Sequence, residues 1–310
     1  MRARKKIYFT IAILALLIVV TAAYKMAGPR IKPTAKDLAY ASRSSEQKLD
    51  IYLPNGTGPF PLIVHVHGGA FKFGDKAGGP SEDAVGVFLA SGYAVASLNY
   101  RLSGEAKAPA QIQDVKAAVR WLRAHAAEYK LDPNRFVAWG ESAGGNLVAM
   151  LGTSGGVADL EGAELGNASV SSRVQVVVDW FGPTDFLQMD AQFAKETQCG
   201  KSAQSHNDAD SPESELVGGA IQTRSDLVRT LTNPITYVSP DDPPFLIQHG
   251  TKDCLVPPGQ GRLLSEALVA AIGAKKVMLV PVEGAGHGGS EFTSPANMKV
   301  VLEFIKTNLT

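Results

Sequence analysis

The sequence is short of charge, of cysteine and of aromatic residues, and each shortage narrows what the chain can be. Only 19% of its 310 residues are charged, and the 30 basic side chains are matched by 30 acidic ones. A chain without a basic excess lacks the electrostatic footprint that phosphate backbones require, which argues against nucleic acid as a partner. Two cysteines, Cys199 and Cys254, are too few for a disulfide-built scaffold. Neither is near the N-terminus, so no lipid-modified cysteine begins a mature chain there. No segment recurs at a fixed period and no tract has low complexity, which sets aside solenoids and disordered linkers. What is present is a 45% hydrophobic content, enough for a packed globular core.

The N-terminus stands apart. Arg2, Arg4, Lys5 and Lys6 precede a mainly apolar stretch from Ile7 to Ala23, and no acidic residue occurs in these first 23 positions. Such a segment is a secretory signal or a membrane anchor. Its 17 residues fall between the roughly 7–15 of a signal core and the roughly 20 of a spanning helix. Thr21 and Ala23 suit a cleavage site, while Lys25 and Arg30 suit a retained anchor. Either way the expectation is export, periplasmic or secreted, or membrane attachment through this segment with the rest outside the cytoplasm. Loss of residues 1–23 removes four basic side chains and leaves 26 against 30 acidic, a mildly acidic protein. In an oxidising compartment the two cysteines permit one disulfide, which would pin the loop of Cys254; two unpaired buried thiols are the alternative.

Beyond a linker at 24–36, short apolar runs alternate with helical patterns, as expected for an α/β domain over 37–310 with a mostly parallel sheet. Strands are expected at Lys48–Leu53, Pro61–Val66, Tyr93–Leu98, Arg135–Trp139, Val174–Trp180, Pro244–Gln248 and Val277–Val282. Helices are expected over Pro109–Tyr129, from about Ala143, and over Gly259–Ile272 and Ala296–Lys306. The polar stretch at about 186–231 reads as an insertion, either a cover for a site or a passive surface excursion.

Chemistry enters at Gly140-Glu141-Ser142-Ala143-Gly144, between an expected strand and an expected helix. A sharp turn there holds a hydroxyl out from the sheet edge, and glycines two residues either side of the serine remove the clash. The helix N-terminus adds N–H groups and partial positive charge where an oxyanion would form. Three further segments agree. His67-Gly68-Gly69-Ala70, at a strand end, offers the amides of Gly69 and Ala70 beside that of Ala143 as an oxyanion hole. His287 lies in a glycine-rich loop after the last strand and is the candidate base. Asp253, after the penultimate strand, is its candidate acid, with Asp185 and Asp179 as rivals. The order Ser142, Asp253, His287 is that of α/β-hydrolases. His65, His67 and His249 suit structural roles, and Arg101 with Asp114 suits a structural pair. Glu141 is expected buried beneath the site. Trp180 and Phe181 fit either a pocket wall or the core.

The segments HGGAF, GESAGG, DWFGPTDF, DDPPFLIQHGTKD and VEGAGHGG resemble those of α/β-hydrolase esterases of the hormone-sensitive-lipase and bacterial feruloyl/acetylxylan esterase (BD-FAE-like) type. The resemblance runs from about residue 36 to the end. It implies an eight-stranded sheet flanked by helices, acyl-enzyme chemistry on short-chain or aromatic esters, a small-molecule or polymer-linked ester as partner, and no metal or other cofactor. Ala70 stands where many relatives have a third glycine. An amidase, arylformamidase or peptidase would use the same three residues, and a lipase, a polyester hydrolase or a non-catalytic binding protein on this scaffold are further alternatives.

Overall fold

Four strands in the middle of the chain are apolar almost throughout, which only a sheet covered on both faces can accommodate. The computed structural model describes residues 31–78, 81–195, 199–200 and 204–309, and the expected N-terminal signal or anchor lies outside them. The strands are β1 Ala35–Ala39, β2 Lys48–Tyr52, β3 Phe60–Val66, β4 Ala94–Leu98, β5 Leu131–Glu141, β6 Val176–Trp180, β7 Phe245–Gly250 and β8 Val277–Val282. They form one sheet in the order β1-β2-β4-β3-β5-β6-β7-β8. Only β2 runs against its neighbours; β4, β3, β5, β6, β7 and β8 are parallel. This is the α/β-hydrolase arrangement expected above.

Burial follows position in the sheet. Every residue of β4, β6 and β7 is buried, whereas β8 and β1, at the two edges, are largely exposed. The helices are α1 Glu82–Ala90, α2 Ala110–Ala124, α3 Ala143–Thr153, α4 Ala158–Glu161, α5 Met189–Phe193, α6 Pro212–Val217, α7 Ser225–Thr232, α8 Gly259–Ile272, α9 Ser290–Thr293 and α10 Pro295–Asn308. All eleven residues of α3 are buried, because it packs on β5 and β6 and is covered by α2 and α7. Its small and apolar sequence suits a helix with no solvent face.

Strand β1 begins inside the segment read as a linker. It pairs antiparallel with β2, joining Ala35 to Ile51 and Ala39 to Lys48. The 186–231 stretch holds α5, α6 and most of α7 and, among the described residues, no strand. Arg101 and Asp114 are the structural pair expected: Asp114 is fully buried and accepts from Arg101 Nη2 at 2.7 Å and from Gln47 Nε2 at 2.7 Å. That pair fixes the end of β4 against α2.

Candidate active site

Strand β5 ends at Glu141 and α3 begins at Ala143, leaving Ser142 alone at the turn with φ 55° and ψ −121°. A non-glycine residue held there costs on the order of 1–3 kcal/mol and needs surrounding contacts to persist. The contacts are present: the Ser142 amide donates to Trp180 O on β6 at 2.9 Å, and Ser142 O accepts from Asn146 N at 3.0 Å. Gly144 lets the turn close, since a Cβ there would run into the carbonyl oxygen of Val66. The side chain of Ser142 is thereby presented above the sheet edge.

Two loops from the far side of the sheet meet it. His287 follows β8, packs its ring edge-on against Phe181 at 4.7 Å, and places Nε2 2.8 Å from Ser142 Oγ. Its Nδ1 lies 2.7 Å from Asp253 Oδ2. With the proton on Nδ1, His287 donates to Asp253 and accepts from the Ser142 hydroxyl, the tautomer that general-base work requires. Asp253, in the loop after β7, is fully buried. Its Oδ1 accepts from the amides of Leu255 and Val256, both at 2.9 Å. Burial alone would raise its pKa, but the two imidazoles beside it, His249 and His287, prevail and hold the carboxyl well below the usual range. His249 Nε2 bonds to Val256 O at 3.0 Å and lies 3.2 Å from Asp253 Oδ2. The structural role expected for His249 holds, and its position beside the acid adds to it.

The rival acids are engaged elsewhere. Asp185 accepts from Leu187 N at 3.1 Å and from Gln188 Nε2 at 2.6 Å, capping a single helical turn. Asp179 accepts from Gly182 N at 2.9 Å, and burial pushes its pKa up to about 6.

The loop after β3 supplies the amides. Gly69 has φ 113°, and Ala70 and Phe71 follow at 55° and 58°, so the chain winds left-handed through three residues. Gly69 O accepts from Lys72 N at 2.9 Å and Phe73 N at 2.8 Å, which locks the turn. The amides of Gly69, Ala70 and Ala143 have no backbone partner among the described residues, and all three residues line one cavity with Ser142 and His287. Ala70 in place of glycine leaves this amide in position. His67 supports the loop, stacking on Tyr100 at 4.5 Å and bonding Gly68 O through Nδ1 at 2.7 Å. Burial lowers its pKa and keeps it neutral.

Glu141 differs from expectation in keeping its side chain 20% exposed, while Oε2 meets His65 Nε2 at 2.9 Å. Of the two aromatic residues left open, Trp180 is core, packed on Trp139 at 5.1 Å, and Phe181 is cavity wall. The cavity has a volume of about 440 Å³. Phe73 and Leu255 line it while remaining 63% and 44% exposed, an apolar surface at its opening. Cys199 and Cys254 form a disulfide with Cα atoms 5.4 Å apart, joining the insertion to the Asp253 loop. Among the described residues no cluster of histidine, cysteine and acidic side chains could hold a metal.

The BD-FAE family model matches residues 49–268. Among solved structures, a truncated carbohydrate esterase from gut microbiota is 35% identical with a TM-score of 0.79, over 91% of this chain and 98% of that one. A bifunctional GH43-CE protein of Bacteroides eggerthii is 37% identical with a TM-score of 0.77, over 89% of this chain and 35% of that one. Esterase LipC of Mycobacterium tuberculosis is 31% identical over 232 residues, covering 75% of this chain and 54% of LipC. The chain spans about half the length of the curated relatives it matches.

Proposed function

We propose, since the chain belongs to the BD-FAE family, that it is a serine carboxylesterase acting through an acyl-enzyme. One observation carries the reading: Ser142 Oγ, His287 and Asp253 are joined at 2.8 and 2.7 Å beside three amides free to receive an oxyanion. Ser142 Oγ attacks the ester carbonyl as His287 Nε2 takes its proton, and Asp253 stabilises the imidazolium. The carbonyl oxygen becomes an oxyanion facing the amides of Gly69, Ala70 and Ala143. Collapse expels the alcohol, which leaves with the proton held by His287. Water then repeats the sequence on the acyl-enzyme and frees the acid.

The substrate we propose is a short-chain acyl or aromatic ester, acetyl or feruloyl in type, free or linked to a polysaccharide. A cavity of about 440 Å³ is of the size that takes small ligands. Phe73 and Leu255 give an acyl chain or an aromatic ring an apolar surface. The structural neighbour described as a carbohydrate esterase supports a sugar-linked ester. The proposal includes export, for which the basic and apolar N-terminus argues; a disulfide between Cys199 and Cys254 suits an oxidising compartment.

The test is hydrolysis of p-nitrophenyl acetate, butyrate and octanoate, with methyl ferulate and acetylated xylan alongside, by the wild type and Ser142→Ala. Short-chain turnover that disappears in the variant supports the mechanism, and ferulate or xylan turnover supports the substrate class. A folded wild type that cleaves an anilide but not the matching phenyl ester overturns the reading in favour of an amidase.

A further inference from the structure

Two titratable side chains from the insertion line the same cavity and take no part in the relay. His206 is 1% exposed and Glu213, on α6, is 5% exposed. His206 Nε2 lies 3.0 Å from Leu255 O, a carbonyl that can only accept, so Nε2 carries a proton. Its Nδ1 then faces Glu213 Oε1 at 3.1 Å. The two groups are at ion-pair distance, although among the described residues His206 Nδ1 makes no hydrogen bond. Burial opposes charge on His206, but Glu213 outweighs it and raises the imidazole pKa.

The second carboxylate oxygen is the one left over. Glu213 Oε2 is buried and has no hydrogen-bond partner among the described residues. A buried acceptor of this kind is rare, and one in the wall of a substrate cavity calls for a donor from outside. Glu213 lines that cavity, so a hydroxyl entering it meets the carboxylate group. A protonated His206 at 3.1 Å balances the charge of the carboxylate. A neutral donor is favoured there over a cation.

We propose that Glu213 is a specificity-determining residue whose free carboxylate oxygen accepts a hydrogen bond from a hydroxyl group of the ester substrate. His206 is a positioning residue that holds the carboxylate through Oε1. This deepens the esterase reading and rests on it. It narrows the substrate class to hydroxylated esters, the hydroxyl lying on the alcohol or on the acyl portion.

Matched pairs of esters test it. Glycerol monobutyrate against propyl butyrate places the hydroxyl on the alcohol side; methyl lactate against methyl propionate places it on the acyl side. Each kcat/KM is divided by the rate of hydroxide hydrolysis to remove intrinsic reactivity. The wild type is expected to favour the hydroxylated member of at least one pair by about tenfold or more, the usual range for a hydrogen bond to a charged group. Glu213→Met, similar in size without the acceptor, brings that ratio close to unity, and Glu213→Gln, for use if the methionine variant does not fold, brings it part-way. A merely structural role for Glu213 lowers both rates together and leaves the ratio unchanged, which overturns the proposal. So does a wild type without preference in either pair. Absence of turnover on all four esters overturns the esterase reading itself, a different result from turnover without preference.

Discussion

His249 Nε2 stands 3.2 Å from Asp253 Oδ2, the same oxygen that His287 Nδ1 meets at 2.7 Å. One carboxylate oxygen thus serves two imidazoles, only one of which faces Ser142. Removing the second one, in His249→Leu, leaves the buried acid with a partner fewer. Asp253 has a folded-state pKa below its unfolded one, so its contribution is complete above the ordinary carboxylate value of about 3.9 and is lost as pH falls toward the folded value. Without His249 that gap narrows. The expected result is a loss of about 1–3 kcal/mol at neutral pH, with a smaller wild-type advantage at about pH 3. Urea melts across that range check it, and a pH-independent difference counts against it.

Gly69→Ala addresses the amide loop. A Cβ at Gly69 would collide with the Phe73 carbonyl, and φ 113° is itself closed to alanine. The turn must shift, moving the Gly69 and Ala70 amides. We expect kcat to fall by about 10²–10³, the effect of losing one oxyanion donor, with the protein still folded by circular dichroism. An unchanged kcat would show that these amides are not used.

Asp179→Asn should make the protein more stable, not less. Burial raises the pKa of this aspartate from the ordinary 3.8 to about 6. The folded state therefore holds a proton that the unfolded state has released, and stability falls as pH rises through that window. Asparagine keeps an acceptor for Gly182 N and removes the ionisation. At neutral pH the gain is on the order of 1–3 kcal/mol, disappearing below about pH 4. Thermal melts at both pH values decide it.

Cys199→Ser with Cys254→Ser opens a crosslink between residues 55 positions apart. Loops of this length give a disulfide about 2–4 kcal/mol of stabilisation. Because Cys254 adjoins Asp253, the double variant should also lose kcat more than it changes KM. Dithiothreitol treatment of the wild type should reproduce both effects, and a stable, fully active double variant would rule them out.

How far the sequence spoke depended on whether a signal was local. Helix α8 and strand β8 have the expected bounds because their apolar spacing needs no help from neighbours. Strand β1, Ala-Lys-Asp-Leu-Ala, was missed because it lies at an edge and is held by pairing with β2 rather than by burial. Helix α1 was missed as well, since Glu82–Ala90 has a glycine amid its apolar residues. Strand β5 runs longer than expected, through the polar Asp132, Pro133 and Asn134. The serine, base and acid were readable because each sits at a turn of fixed type in a fixed order. The meeting of His206 and Glu213 was not, since only the folding of the insertion brings them together in the cavity wall. Nor did the sequence show that His249, four residues before Asp253, reaches back to it.

The Cys199–Cys254 bond has one more consequence. The loop of His206 and helix α6, which carries Glu213, lie between its two ends. A protease cutting once anywhere in that interval would produce two fragments that still migrate as one until reduced. The nicked protein would keep serine and base on separate fragments, yet tied by a covalent bridge next to the acid. The bridge would in this way let the protein outlast the breaking of its own chain.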